Sequence, residues 1–230
     1  MGLSGYSLIV IKVGTNSIMS EGGINKAFLT QLICEVSSLI RKGKKVVIVT
    51  SGAIGLGKRK IAFDSAGSAT IKEQQGLAAI GQLALMGEYA KRFESVGLEC
   101  AQILLSQRDL MDEACLANIQ GAFDFLLERN IAAVVNENDV VATEELRRNG
   151  AFSDNDELAA LLSRRLGAGL LVMLTSKNGL IGKDGTVLKT FSRAGELCAM
   201  EKSSKDGRGG IGSKLESIAK AKGTFCPAHR

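Results

Sequence analysis

The strongest constraint on the fold is an alternation. Five short apolar runs, S-L-I-V-I-K-V at 7–13, K-V-V-I-V-T at 45–50, C-A-Q-I-L-L at 100–105, I-A-A-V-V at 131–135 and G-L-L-V-M-L-T at 169–175, each stop at a glycine or a polar cluster. Mostly β-branched or aliphatic runs of this length read as buried strands. Between them, apolar residues recur at helical spacing. Residues 24–42 carry Ile24, Phe28, Leu32, Val36, Leu39 and Ile40, followed by Gly43 where a helix commonly ends. Further helices are predicted over about 70–96, about 112–129 and 154–167, with a last one from near Ser213 and a hairpin over 178–190 turning at Lys183-Asp184-Gly185. Strands alternating with helices require crossover connections, which dictates an α/β fold with a mostly parallel sheet and helices on both faces. A length of 230 residues suits one domain over 1–230.

Composition narrows the chemistry. The single histidine, His229, is next to last, which excludes Ser-His-Asp and Cys-His catalysis and histidine-ligated metals. Cys34, Cys100, Cys115, Cys198 and Cys226 lack any C-x-x-C spacing, so neither a disulfide framework nor a zinc site is expected, and a reducing cytoplasm fits. No signal-like N-terminus or membrane-length apolar run is present, so neither export nor a membrane is expected. The net charge of +5 is not gathered into one run, aromatics are 4% and Trp is absent, so nucleic acid is not the expected partner. A polyphosphate ligand accounts for the charge equally well. The most basic stretch, Lys202 to Lys222, is either part of such a site or a solvated face.

In open α/β sheets ligands gather at the carboxyl ends of the strands. Four such ends are unusually rich in glycine and small polar residues: K-V-G-T-N at 12–16, T-S-G-A-I-G at 50–55, N-E-N-D at 136–139 and T-S-K-N-G at 175–179. Lys12 interrupts an apolar strand, so its ammonium either reaches solvent or meets an anion. From Gly52 the pattern G-x-x-x-x-G-K is complete, but Arg59 stands where a Walker loop needs a hydroxyl, leaving an anion-binding turn or a ligand-free connection as readings. N-E-N-D combines amides and carboxylates that can grip an amino acid or simply stabilise a turn. In F-S-D-N-D-E-L, at 152–158, helix capping explains Ser153 or Asp154, but not Asp154, Asn155 and Asp156 together. G-R-G-G-I-G-S-K-L at 207–215 is either a linker or a glycine-rich cover opening a helix, with backbone amides and Lys214 suited to nucleotide phosphates. The small residues of Q-Q-G-L-A-A-I-G-Q, 74–82, offer a close-packing helix face, from which a homo-oligomer is expected.

Taken in order, I-K-V-G-T-N-S, V-I-V-T-S-G-A-I-G-L-G, Q-Q-G-L-A-A-I-G-Q, N-E-N-D-V-V-A-T-E-E, S-D-N-D-E-L-A-A, L-T-S-K-N-G-L and G-G-I-G-S-K-L resemble the amino acid kinase family over about residues 8–223. Within it they are most similar to the branch that phosphorylates the side-chain carboxylate of L-glutamate. The resemblance implies a three-layer α/β/α sandwich, ATP and Mg²⁺, and formation of γ-glutamyl phosphate at the first step of proline biosynthesis. It implies that Lys12 and Lys214 neutralise the transferring phosphoryl group and that Asp156 holds them. Ser51, Gly52, Asp139 and Asn155 are then glutamate-site residues supported by Asn136 and Asp154. Thr175, Ser176, Arg208, Gly209, Gly210, Ile211, Gly212, Ser213 and Lys214 form the nucleotide site, and Gly52 becomes a glycine turn beside the transferring group. Glutamate-5-semialdehyde dehydrogenase is the implied downstream partner. Relatives acting on aspartate, N-acetylglutamate, carbamate or a nucleoside monophosphate, and a non-catalytic binding homologue, are the alternatives.

The sequence departs from the family pattern at Ser176, usually Asp, and at Arg208, usually small. It ends in F-C-P-A-H-R, where the family continues with another strand and often a PUA domain. The expectation is therefore a domain short at its C-terminus, without a PUA domain, lacking that strand and with a sheet edge left open.

Overall fold

A computed structural model describes residues 5–64, 69–141, 155–174 and 224–227, the last four as backbone only. The described elements are β1 (Leu8–Val13), α1 (Thr15–Ile18), β2 (Met19–Ser20), β3 (Gly23–Ile24), α2 (Lys26–Arg41), β4 (Lys45–Val49), α3 (Ala53–Lys60), α4 (Ile71–Ser95), β5 (Cys100–Leu105), α5 (Glu113–Glu128), β6 (Ala132–Glu137), α6 (Asn155–Arg165), β7 (Leu170–Leu174) and β8 (Thr224–Pro227). Six strands form one sheet in the order β5-β6-β4-β1-β7-β8, every pair parallel. The short β2–β3 pair forms a separate antiparallel ribbon.

Strand periodicity divides the core into two layers. Along β1, Ile9, Ile11 and Val13 join Val46 and Ile48 of β4 in a cluster with Leu29, Ile33 and Val36 of α2 and Leu85, Tyr89 and Phe93 of α4. Leu8 and Val10, with Val47 and Val49, face the other way onto Leu116, Phe123 and Leu127 of α5 and Leu158 and Leu162 of α6. Successive side chains on a strand point to opposite faces, so both faces of the sheet are dry and helix-covered. This is the α/β/α sandwich with a parallel sheet. The helices start where side chains supply caps: Asn25 Oδ1 accepts from Phe28 N, Asp112 Oδ1 from Cys115 N, and Thr70 and Glu73 form a reciprocal capping box at α4.

Three sequence expectations change. Residues 53–60, given no helix by the sequence, form one: the turn is confined to Gly52, which has φ 101°, and α3 follows at once. Gly52, Gly55 and Gly57 weigh against a helix prediction, but Gly57 serves packing, as does Gly81 on α4. A Cβ on Gly57 would stand 1.9 Å from Leu77 O, and one on Gly81 would stand 1.8 Å from Ala53 O. The backbones of α3 and α4 therefore touch, and the small-residue edge of 74–82 that suggested an oligomer contact is used against α3 of the same chain.

The second change is at the C-terminal strand expected to be absent. Thr224–Pro227 forms β8, paired parallel to β7 with Leu170 opposite Thr224 and Met173 opposite Pro227. A proline demotes a strand signal, yet an edge strand tolerates one because only one side needs hydrogen bonds. The third is smaller: β6 runs on through Asn136 and Glu137, because Leu104 and Leu105 of β5 pair with them. The predicted hairpin over 178–190 and the helix from Ser213 lie outside the described residues.

Candidate functional site

The carboxyl ends of β1, β4 and β6 converge on the first turn of α6. Lys12 has the same parity on β1 as Leu8 and Val10, so its stem lies on the α6 face of the sheet, and it is 4% exposed. Its Nζ pairs with Asp156 Oδ1, and Asp156 is completely buried. A Cβ on Gly14 would stand 3.7 Å from Lys12 Nζ and 3.9 Å from Leu174 O, which places the ammonium at the strand ends beneath the Gly14 backbone.

Beside this pair runs a string of amides. Asn155 Nδ2 donates to Ser51 Oγ at 3.0 Å and to Asn136 Oδ1 at 3.2 Å. Asn136 Nδ2 in turn donates to Gln82 Oε1 at 2.7 Å. Ser51 follows β4 and is positioned from below: Thr50 N donates to Val135 O at 2.8 Å, and the buried Tyr89 hydroxyl donates to Thr50 Oγ1 at 3.0 Å. Burial holds the Tyr89 hydroxyl far above its ordinary pKa, so it stays a neutral structural donor. Gly52, next in the chain, takes the left-handed conformation and begins α3. That conformation turns the backbone sharply enough for Ser51 to face Asn155 while α3 leaves in another direction.

A cleft of about 290 Å³ opens next to the string and is lined by Gln82, Gln102, Glu137, Asn138, Asp139 and neighbouring small and apolar residues. Asp139 thus belongs to the cleft wall. The structure brings together Lys12, Ser51, Gly52, Asn136, Asn155 and Asp156, with Asp139 at the adjoining cleft. Asp154, Thr175, Ser176 and Arg208 to Lys214 lie outside the described residues. Gln82 and Gln102 were missed from the sequence. The signal for Gln82 was a glutamine on the inward face of an otherwise small and apolar helix segment; Gln102 sits in an apolar strand and carried a similar one.

The pattern of the amino acid kinase family matches residues 7–229. The chain belongs to the amino acid kinase family. Among curated relatives of this amino acid kinase, glutamate 5-kinase of Enterococcus faecalis is 40% identical over 219 residues, covering 91% of this chain and 80% of that protein. Glutamate 5-kinases of Thermotoga maritima and Geobacter metallireducens are each 35% identical, over 95% and 93% of this chain. The chain spans 62% and 58% of the length of those two proteins. Among the described residues, no helix is long and apolar enough to cross a membrane.

Proposed function

We propose that this protein transfers the γ-phosphoryl group of ATP to the side-chain carboxylate of L-glutamate, giving γ-glutamyl phosphate and ADP as the first step of proline biosynthesis in the cytoplasm. The observation that carries this reading is the buried Lys12–Asp156 pair at the strand ends, bordered by the amides of Asn136 and Asn155 and the hydroxyl of Ser51. The names of the relatives support the substrate.

The chemistry needs no general base. A glutamate side chain, with a reference pKa of about 4.3, is already ionised at neutral pH and can attack phosphorus directly. One carboxylate oxygen forms the new P–O bond while the bond between the γ-phosphorus and the β,γ-bridging oxygen breaks, and that oxygen leaves on ADP. Catalysis then consists of alignment and charge stabilisation. Lys12 supplies a fixed ammonium to the phosphoryl oxygens, and Asp156 holds that ammonium in place so that it needs no reorganisation during transfer. Lys214 adds a second cation, and Thr175, Ser176 and residues 208–214 cover the nucleotide. Ser51, Gly52, Asn136, Asp139, Asp154 and Asn155 bind and orient glutamate.

Magnesium enters as part of the MgATP substrate. Among the described residues there is no cluster of three or more His, Cys, Asp or Glu side chains able to hold a cation. Phosphate oxygens and water are its natural ligands in such a site. A homo-oligomer and hand-over of the labile acyl phosphate to glutamate-5-semialdehyde dehydrogenase complete the reading. The oligomer is supported by exposed Leu83, Leu104, Val140 and Val141 near the β5 edge rather than by the glycines of α4.

The test is trapping of the acyl phosphate with hydroxylamine. Hydroxamate formation dependent on ATP and Mg²⁺ is expected from L-glutamate in preference to aspartate, N-acetylglutamate or carbamate, with no transfer to UMP. Product from another acceptor alone, or none from folded protein, overturns the reading.

A further inference from the structure

Gln82 lies in the middle of α4 and is 8% exposed. Its Oε1 accepts from Asn136 Nδ2, but its Nε2 is buried and has no hydrogen-bond partner among the described residues. A buried amide N–H left unpaired is costly, and native proteins pair nearly all such groups with protein, water or ligand. At the other end of the same string, Asn155 Oδ1 is a buried acceptor without a partner among the described residues. Both N–H groups of Asn155 are already used, on Ser51 and Asn136.

The string therefore has a fixed direction. It runs from Asn155 through Asn136 to Gln82, each amide donating to the next, and presents an open acceptor at one end and an open donor at the other. Of the two ends, the open donor at Gln82 is the complement of a carboxylate, such as the α-carboxylate of an amino acid. The cleft that Gln82 shares with Asp139 and Gln102 is compact, at about 290 Å³, and its wall carries two carboxylates, Glu137 and Asp139, able to attract the ammonium of that amino acid. The side-chain carboxylate of the substrate has to reach Lys12. Gln82 closes the end of the string away from Asn155, the residue next to Lys12's partner Asp156, and is placed to meet the other carboxylate.

We propose that Gln82 is a specificity-determining residue of the glutamate site, donating from Nε2 to the α-carboxylate while its Oε1 fixes the rotamer of Asn136. This rests on the glutamate kinase reading above. A glutamine that only filled the core would need neither the open donor nor its position on the cleft wall.

The experiment uses the full chain and compares Gln82→Glu with the wild type on L-glutamate and on its α-amide, isoglutamine, by hydroxamate formation. Gln82→Glu keeps the oxygen that accepts from Asn136 but replaces the donor with a second, anionic acceptor. The expected result is a KM for L-glutamate raised at least about tenfold, with kcat and the KM for ATP little changed, and a much smaller penalty for isoglutamine, whose amide can donate to the new carboxylate. Gln82→Met, which removes donor and acceptor together, is expected to raise the KM for L-glutamate without the gain toward isoglutamine. Equal losses on both substrates, or a fall in kcat alone, would assign Gln82 a structural role and overturn the proposal. Wild-type protein that phosphorylates L-glutamate while Gln82→Glu behaves identically overturns this inference only; wild-type protein that phosphorylates no glutamate overturns the functional reading and this inference with it.

Discussion

Lys12 of the central strand and Asp156 of α6 form an ion pair almost sealed from solvent, although one comes from the start of the chain and the other from its second half. Parity explains the meeting. Lys12 stands two positions beyond Val10 on β1, and the face that Val10 shares is the one packed by α6. Desolvating two charges is expensive, and apolar residues of similar volume often replace such pairs with no loss of stability. The pair thus points to function more strongly than to folding.

Asp156→Asn is expected to leave an uncompensated buried ammonium and to destabilise the fold by about 3–5 kcal/mol. The double variant Lys12→Met/Asp156→Leu should recover most of that loss while remaining inactive. Chemical denaturation midpoints check the stability, and phosphoryl transfer checks the activity. A double variant as unstable as the single one would make the pair a folding element.

Within α4, neighbouring glycines should respond with opposite signs. Gly81→Ala drives a methyl group into the carbonyl of Ala53, and this backbone contact cannot rotate away, so a loss of about 1–3 kcal/mol or more is expected. Gly76 meets nothing within 4 Å of an added Cβ, so Gly76→Ala should stabilise by about 0.5–1 kcal/mol through helix propensity. Thermal melting of the two variants would separate them; a neutral Gly81→Ala would contradict the contact between α3 and α4.

Cys100 begins the edge strand, half-buried, and burial together with the nearby Glu99 charge pushes its thiol up to about 11. The thiolate is the reactive form, so at pH 8 about one molecule in 10³ should be reactive at this site. Alkylation is expected to modify the exposed Cys34 first and to reach Cys100 only as pH rises toward 11 or the chain unfolds. The linkage has a definite sign. Because the folded-state value is raised, this thiol's contribution to stability is complete below the unfolded pKa of about 8.5 and is lost as pH rises through about 11. Mass-spectrometric mapping at pH 8 with equal labelling of Cys34 and Cys100 would contradict this.

Much of the fold was legible because strands and helices each left a clean period: β1, β4, β5 and β7 begin and end within a residue or two of their apolar runs, and α2, α4 and α5 match their helical spacing. What escaped was whatever depended on a distant neighbour. Gly55 and Gly57 argue against a helix locally, and only the approach of α4 makes α3 stable. Pro227 argues against a strand, and only the free edge of β7 makes β8 possible. In the site, Lys12 was conspicuous as a charge in an apolar run, whereas Gln82 carried no charge and stood only as the last residue of a segment noted for its small side chains. Its importance lies in a hydrogen bond to Asn136, 54 positions away along the chain.

The most direct measurement is glutamate-dependent release of ADP by the wild type and by Lys12→Ala, with ATP and Mg²⁺ saturating. The expected result is ADP formation that requires L-glutamate, and a fall in kcat of about 10²–10³-fold or more in the variant, the scale of losing a preorganised charge at the transferring group. ATP hydrolysis indifferent to glutamate, or a folded Lys12→Ala protein with undiminished kcat, would contradict the placement of phosphoryl transfer at this lysine.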